Sequence, residues 1–181
     1  MAATVLGSVM PVTACGVIDS GPGLQTPTAM TVTSGAFTQN RIPARYTCDA
    51  GAQAVSPPLD WAGAPPGTKS LALVVDDSSA PITPSVYWVV FDINPETTQI
   101  QEGQVPPGAK VARNSAGTAA YDPPCPRTRS SHQYRFTVYA LNRVLNLGAG
   151  TSLQSAWNAI AAATIGRGRD QPTAISAMSP S

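Results

Sequence analysis

The stretches SLALVVDD (70–77) and VYWVVFDI (86–93) constrain this chain more than any other feature. Both are β-branched, aromatic and nearly continuously apolar, as central strands covered on both faces are. A third run, QYRFTVYAL (133–141), alternates. It puts Tyr134, Phe136 and Val138 on one face and Arg135, Thr137 and Tyr139 on the other. MTVTSGAF (30–37) alternates too, until Ser-Gly breaks it. Turn clusters (SPPLDW, GAPPGTK, SSAPITP, QVPPGAK) separate these runs, and 18 prolines and 15 glycines punctuate the whole chain. Several short strands joined by such turns predict a mostly β fold, a sandwich or barrel. One segment is helical in pattern: TSLQSAWNAIAAATIG (151–166) aligns Leu153, Ala156, Trp157, Ile160 and Ala161 on one stripe. Thr151 or Ser152 can cap its start and Gly166 its end. Trp157 is expected to anchor the core, and the polar residues after Arg169 to fray.

With 181 residues the chain has the length of one domain with a real core. Only 12% of residues are charged and the formal net charge is +1, which supplies no basic face for nucleic acid. The arginines from Arg113 through Arg127, Arg129 and Arg135 to Arg143 read mainly as a solvated face, with the attraction of an anion as the lesser alternative. The first fifteen residues, MAATVLGSVMPVTAC, are apolar, small, uncharged and too short to span a bilayer. They end in Val12-Thr13-Ala14-Cys15, which resembles a bacterial lipobox, although no Lys or Arg precedes the apolar run. The expectation is an exported protein on the extracytoplasmic membrane face, held by lipid on Cys15, since two acyl chains anchor where one barely does. Residues 16–29 read as a polar tether, 30–170 as the domain and 171–181 as a polar tail.

In an exported chain Cys48 and Cys125 meet an oxidising compartment, and with Cys15 lipidated they form an even pair. A Cys48–Cys125 disulfide is the prediction; two buried free thiols are the alternative. Catalytic chemistries find little support. A zinc site wants three or four ligands at set spacing, and the chain has one His. There is no G-x-S-x-G elbow for a serine hydrolase and no phosphate-cradling glycine loop. Ser131 and His132 are neighbours that point apart on extended backbone, as are Asp76 and Asp77, so neither pair acts in one pocket. The residues therefore predict no enzyme, no cofactor and no metal.

Polar residues at the ends of the apolar strands remain. Asp77 closes SLALVVDD, and a carboxylate buried there is costly without donors. Tyr87 opens the next strand, Pro124 sits in the rigid YDPPCP loop, and His132 and Tyr134, two apart, share a face. On residue chemistry alone, two readings stay open. One is a small proline-walled pocket with convergent hydrogen-bonding groups; the other is a His and a Tyr satisfied within the sheet.

The order IPARYTCDA…SPPLDWAGAPPGTKSLALVVDDSSAP, then YWVVFDI, then YDPPCPRTRSSHQYRFTVYAL resembles the phosphatidylethanolamine-binding protein family (also called Raf-kinase-inhibitor-like), bacterial branch. The resemblance runs from about Phe37 to Gly166. It implies an antiparallel β-sandwich of two sheets with a helix near the C-terminus, and a small anion-binding pocket at one end. Carried over by position, the family's D-P-D-A-P begins at Asp77, its G-P-C-P-P loop falls on Pro123 to Arg127, and its H-R-Y on His132-Gln133-Tyr134. Several positions depart. Ser79 stands for the second Asp, Tyr87 for the His before Trp-Val, and Pro123 for the loop Gly. Exchanging His for Tyr leaves a neutral donor where a potential cation was. The resemblance implies a non-enzymatic binding protein for a small anion or phospholipid headgroup. His132, Tyr134 and Tyr87 would donate, Pro124 would wall the pocket, and Asp77 would orient His132 or accept from the ligand. It also implies an alternative, a contact inhibitor of a protease or kinase. Export disfavours the kinase.

Overall fold

The computed structural model describes residues 26–79, 85–126 and 130–175. Cys15, the 1–15 segment, most of the 16–29 tether, Arg127, Arg129 and the tail from 176 on lie outside the described residues.

SLALVVDD and VYWVVFDI form β4 (Ser70–Asp77) and β5 (Val86–Ile93), side by side and antiparallel. QYRFTVYAL forms most of β8 (Ser131–Leu141), which lies along the other side of β4 from Ser70↔Leu141 to Asp77↔Tyr134. β4 therefore has a partner on each side, and all eight of its residues are buried. Beyond β8 run β9 (Thr164–Asp170) and the edge strand β1 (Thr28–Ala29); beyond β5 lies β7 (Lys110–Val111). A smaller sheet orders β2 (Thr31–Thr33), β3 (Leu59–Ala62) and β6 (Gln99–Ile100). Pairing is antiparallel throughout the described strands except for β1 with β9, which is parallel. Two 3₁₀ segments, Ala44–Tyr46 and Cys48–Gln53, connect β2 to β3.

The predicted alternation of β8 sorts two cores. Tyr134, Phe136 and Val138 face the small sheet and meet Val32, Leu59, Trp61 and Ile100 from it. Tyr139 and Leu141 face the other way, with Val74, Val89 and Phe91, under the helix α1 (Leu153–Ala163). The molecule is thus a two-sheet β-sandwich with one helix on the outer face of the larger sheet, a third layer built on the same central strands.

Helix α1 starts where the sequence predicts, with the Ser152 hydroxyl accepting from the Ser155 N–H at 3.1 Å. Its buried stripe is Ala156, Ile160 and Ala163. Trp157 is not the expected core anchor: it is 43% exposed, its ring meeting the Tyr139 ring edge-on at 6.0 Å. Ala161 is exposed as well. Packing through small residues brings the helix axis close to the sheet, and Trp157, one position from Ala156, falls on the rim. Gly166 does not end the helix. The chain passes directly from Ala163 into β9, where Gly166 faces the Pro65 ring and Gly168 faces the Met30 backbone crossing beneath. A Cβ on Gly168 would lie 2.4 Å from the Met30 carbonyl oxygen, so only glycine fits.

Two segment boundaries also move. The chain does not fray at Arg169, because β10 (Thr173–Ile175) pairs with the first residues of β8, continuing the line of β9 after a break at Gln171-Pro172. The expected tether already contains structure, β1, at Thr28–Ala29.

Candidate functional site

Asp77, Tyr87, His132 and Tyr134 meet at one end of the larger sheet. Asp77 and Tyr134 are register partners of β4 and β8, and His132, two residues before Tyr134, shares their face. The Asp77 carboxylate is almost wholly buried and both of its oxygens are engaged. Oδ2 lies 2.6 Å from His132 Nδ1, and Oδ1 accepts from the Ser79 N–H at 2.7 Å. A carboxylate on Nδ1 puts a proton there, so Nε2 is the nitrogen left for other work. One partner on each oxygen holds the Asp77 carboxylate in place against the His132 ring.

Tyr87 reaches this group through a backbone irregularity. Val75 pairs with Trp88 but Asp76 pairs with Val86, so Tyr87 is an extra residue, a β-bulge. Strict alternation would send Tyr87 to the side opposite Trp88. Instead its ring meets the Tyr134 ring edge-on at 5.4 Å, and the His132 ring lies 6.3 Å from that of Tyr134. The Tyr134 side chain is fully buried, and its hydroxyl has no hydrogen-bond partner among the described residues. Tyr87 is near enough to influence the ionisation of Tyr134, although no hydrogen bond of ordinary geometry joins the two side chains. Burial pushes the Tyr134 phenol far above its ordinary value, helped by Tyr87 and Asp77. Burial also raises Tyr87, with Asp77 adding to the effect. Both phenols are therefore neutral at ordinary pH, able to donate.

Pro124 is brought to this end without a direct contact to His132 being defined. It is buried, its carbonyl accepts from the Cys48 N–H at 3.1 Å, and Asp122 N–H donates to the Tyr87 carbonyl at 3.0 Å. Cys48 and Cys125 are disulfide-bonded across 77 residues of sequence, so the buried-thiol alternative does not hold. The Tyr121 hydroxyl donates to the Tyr46 carbonyl at 2.7 Å, and Tyr46 donates to Glu102, which also pairs with Arg45. The loop carrying Pro124 is thereby fastened at several points.

Sequence reasoning missed three parts of this end. Ala174 of β10 lies opposite His132 and is buried, in a segment expected to fray. Ser79, which replaces a family Asp, accepts the Gln133 N–H at 2.9 Å through its hydroxyl, closing the end of β8 onto the residues after β4. Gln171 approaches the hydroxyl of Ser78 and the side chain of Gln133. No group of three His, Cys, Asp or Glu capable of holding a metal occurs among the described residues, and no helix there is long and apolar enough to cross a membrane.

A β-sandwich with a helix behind its larger sheet, and a His-Asp-Tyr cluster at its end, defines a recognisable class. Residues 33–171 match the family description Phosphatidylethanolamine-binding protein, and the chain belongs to that family. Among its relatives is a UPF0098 protein of Methanothermobacter thermautotrophicus, 40% identical over 136 residues, covering 72% of this chain and 88% of that protein. A Mycobacterium tuberculosis protein carrying the name "Putative lipoprotein LppC" is 39% identical over 142 residues, covering 77% of this chain and 69% of that protein. The crystal structure of Escherichia coli YbcL, described as a member of the mammalian PEBP family, superposes with a TM-score of 0.73 at 27% identity, covering 81% of this chain and 98% of YbcL.

Proposed function

We propose that this protein is a non-enzymatic binding protein whose site at the Asp77–His132–Tyr134 end takes a small anion, such as the phosphate of a phospholipid headgroup. The observation that carries the reading is the unpaired Tyr134 hydroxyl, buried beside a His whose Nδ1 is already committed to a carboxylate. Leaving a buried hydroxyl unbonded costs about 1–3 kcal/mol, so such a group is a donor waiting for a partner. Tyr134, Tyr87 and His132 Nε2 are the donors for that anion, and Asp77 holds the imidazole in place. Pro124 and Ala174 form the apolar surround. With Tyr87 where relatives of the family carry His, the site offers one imidazolium at most, and it favours a singly charged oxyanion over a dianion. Export and a lipid on Cys15 complete the reading, supported by the lipobox-like Val12–Cys15 and by the name of the mycobacterial relative.

The test is an NMR titration of the His132 ring and the tyrosine rings with phosphate, phosphoethanolamine and acetate. Saturable shifts at His132, lost in Tyr134→Phe, are expected. An unmoved His132 up to millimolar ligand sinks the site.

A further inference from the structure

Between Asp122 and Asp170 the sequence contains six arginines and no Asp or Glu. Two of them, Arg167 and Arg169, are exposed on the outer face of β9, two residues apart and so on one side. Arg135, next along that face, is neutralised by its ion pair with Asp76. Arg167 and Arg169 have no acidic ion-pair partner among the described residues. Arg169 Nε donates to the Thr137 hydroxyl at 3.0 Å, which lays that guanidinium across β8. A shallow cavity of about 250 Å³ lies between Met30, Thr137, Arg167, Gly168 and Arg169. Register pairs Arg167 with Tyr139, and Tyr139 carries the exposed edge-on Trp157. The outward residues of α1 (Gln154, Trp157, Asn158, Ala161) carry no charge at all. This face thus combines two guanidinium groups without acidic partners, a headgroup-sized hollow and one exposed indole at its rim.

The place where the described chain begins points to the same side. β1 lies against β9, with Ala29 opposite Arg167, and runs parallel to it. The residues before Thr28 therefore approach from the α1 end of this face. From Cys15 to Thr26 is eleven residues, a span of at most roughly 40 Å even when fully extended. A lipid on Cys15 would leave this edge of the sandwich within reach of the bilayer.

We propose that the β8–β9 outer face, through Arg167, Arg169 and Trp157, docks on an anionic lipid surface. Guanidinium groups take lipid phosphates bidentately, and an indole at the rim sits at headgroup level. The contact is separate from the anion site proposed at the Asp77–His132–Tyr134 end of the sandwich. With a net charge of only +1, attraction to the membrane must come from this local pair rather than from the field of the whole molecule.

The test uses the full chain with Cys15→Ser, so that no acyl chain contributes. It is mixed with vesicles of phosphatidylcholine alone or of phosphatidylcholine with phosphatidylglycerol. Flotation with the anionic vesicles, loss of binding at high salt and a blue shift of tryptophan emission are expected; Trp61 and Trp88 are buried, so the shift reports Trp157. At about 1 kcal/mol per basic residue near such a surface, Arg167→Glu with Arg169→Glu should weaken partitioning at least roughly thirtyfold. The Gln pair serves if the Glu pair does not fold. Lys69→Gln, which removes an exposed basic group just before β4 and outside both sites, should bind vesicles as the parent does. Equal binding to both vesicle types, an unmoved tryptophan emission, or an unaffected arginine double variant overturns the proposal. Full binding in the arginine double variant together with loss in His132→Ala moves the lipid contact to the Asp77–His132–Tyr134 end and overturns it too. Binding to polyglutamate without binding to vesicles makes the occupant an acidic protein, with the same result.

Discussion

At the scale of single residues, the decisive group is a hydroxyl. Tyr134 contributes its ring to the core, and its oxygen has no hydrogen-bond partner among the described residues, so the two halves of the side chain can be separated by mutation. Tyr134→Phe keeps the ring and deletes the unbonded oxygen. Urea denaturation should show a variant at least as stable as the parent, by up to about 1 kcal/mol, while anion binding falls roughly tenfold or more. A clear loss of stability would mean that the hydroxyl has a partner after all. Asp77→Asn makes the complementary point. It retains the shape but removes the charge facing His132 Nδ1, and it should abolish the ligand-induced His132 shift in the same titration. His132 and Tyr134 were legible in the sequence because strand alternation puts residues two apart on one face, whereas Asp77, on another strand, was joined to them only through the family resemblance. The inward turn of Tyr87 was not, since it depends on a bulge that no residue in VYWVVFDI announces.

At the scale of elements, the long apolar runs were readable to the residue, and the short ones were not. Eight buried residues in a row specify a central strand whatever surrounds it. The pairings of β1 and β10, two and three residues long, are decided by what lies beside them. The same holds for β9, where Gly-Arg-Gly-Arg looks like a loop until the Met30 backbone is seen to cross beneath it. Gly168→Ala should therefore cost about 1–3 kcal/mol by forcing two strands apart, measurable as a lowered Tm with the site chemistry retained. The helix was legible as a helix, but its contact stripe was one position off, because close packing selected alanines over the larger Trp157. The disulfide belongs to this scale as well. Closing a 77-residue separation stabilises by about 4–5 kcal/mol on the chain-entropy account, and Cys48→Ser with Cys125→Ser should lose most of that in urea. Intact mass with and without reductant checks the bond directly.

For the whole molecule, the five tyrosines act together. Tyr46, Tyr87, Tyr121, Tyr134 and Tyr139 are all raised above the ordinary phenol value, burial being the largest cause each time, with Tyr46 pushed up to about 12. A raised folded-state value means the native chain holds its phenol protons where the unfolded chain gives them up. Stability from this source is complete below pH ~10 and falls as pH rises towards the folded values. Each phenol that stays neutral removes about 1.4 kcal/mol per pH unit in that range. Absorbance titration should show no ordinary phenolate step near pH ~10, but a late, steep one coincident with loss of the near-ultraviolet circular dichroism signal. A normal step of several tyrosines would contradict this burial.

The strand edges have a consequence for solubility. The larger sheet ends in β1 and β7 and the smaller one in β2 and β6, each only two or three residues long. Edges so short offer almost no template on which a second molecule can add a strand. The segments most able to form cross-β stacks, LALVV and YWVVF, lie in the sealed middle strands. The folded protein should accordingly stay dispersed at high concentration, while heating past the melting point releases both segments at once. Light scattering should then rise with the transition, and a second scan should recover little of the first.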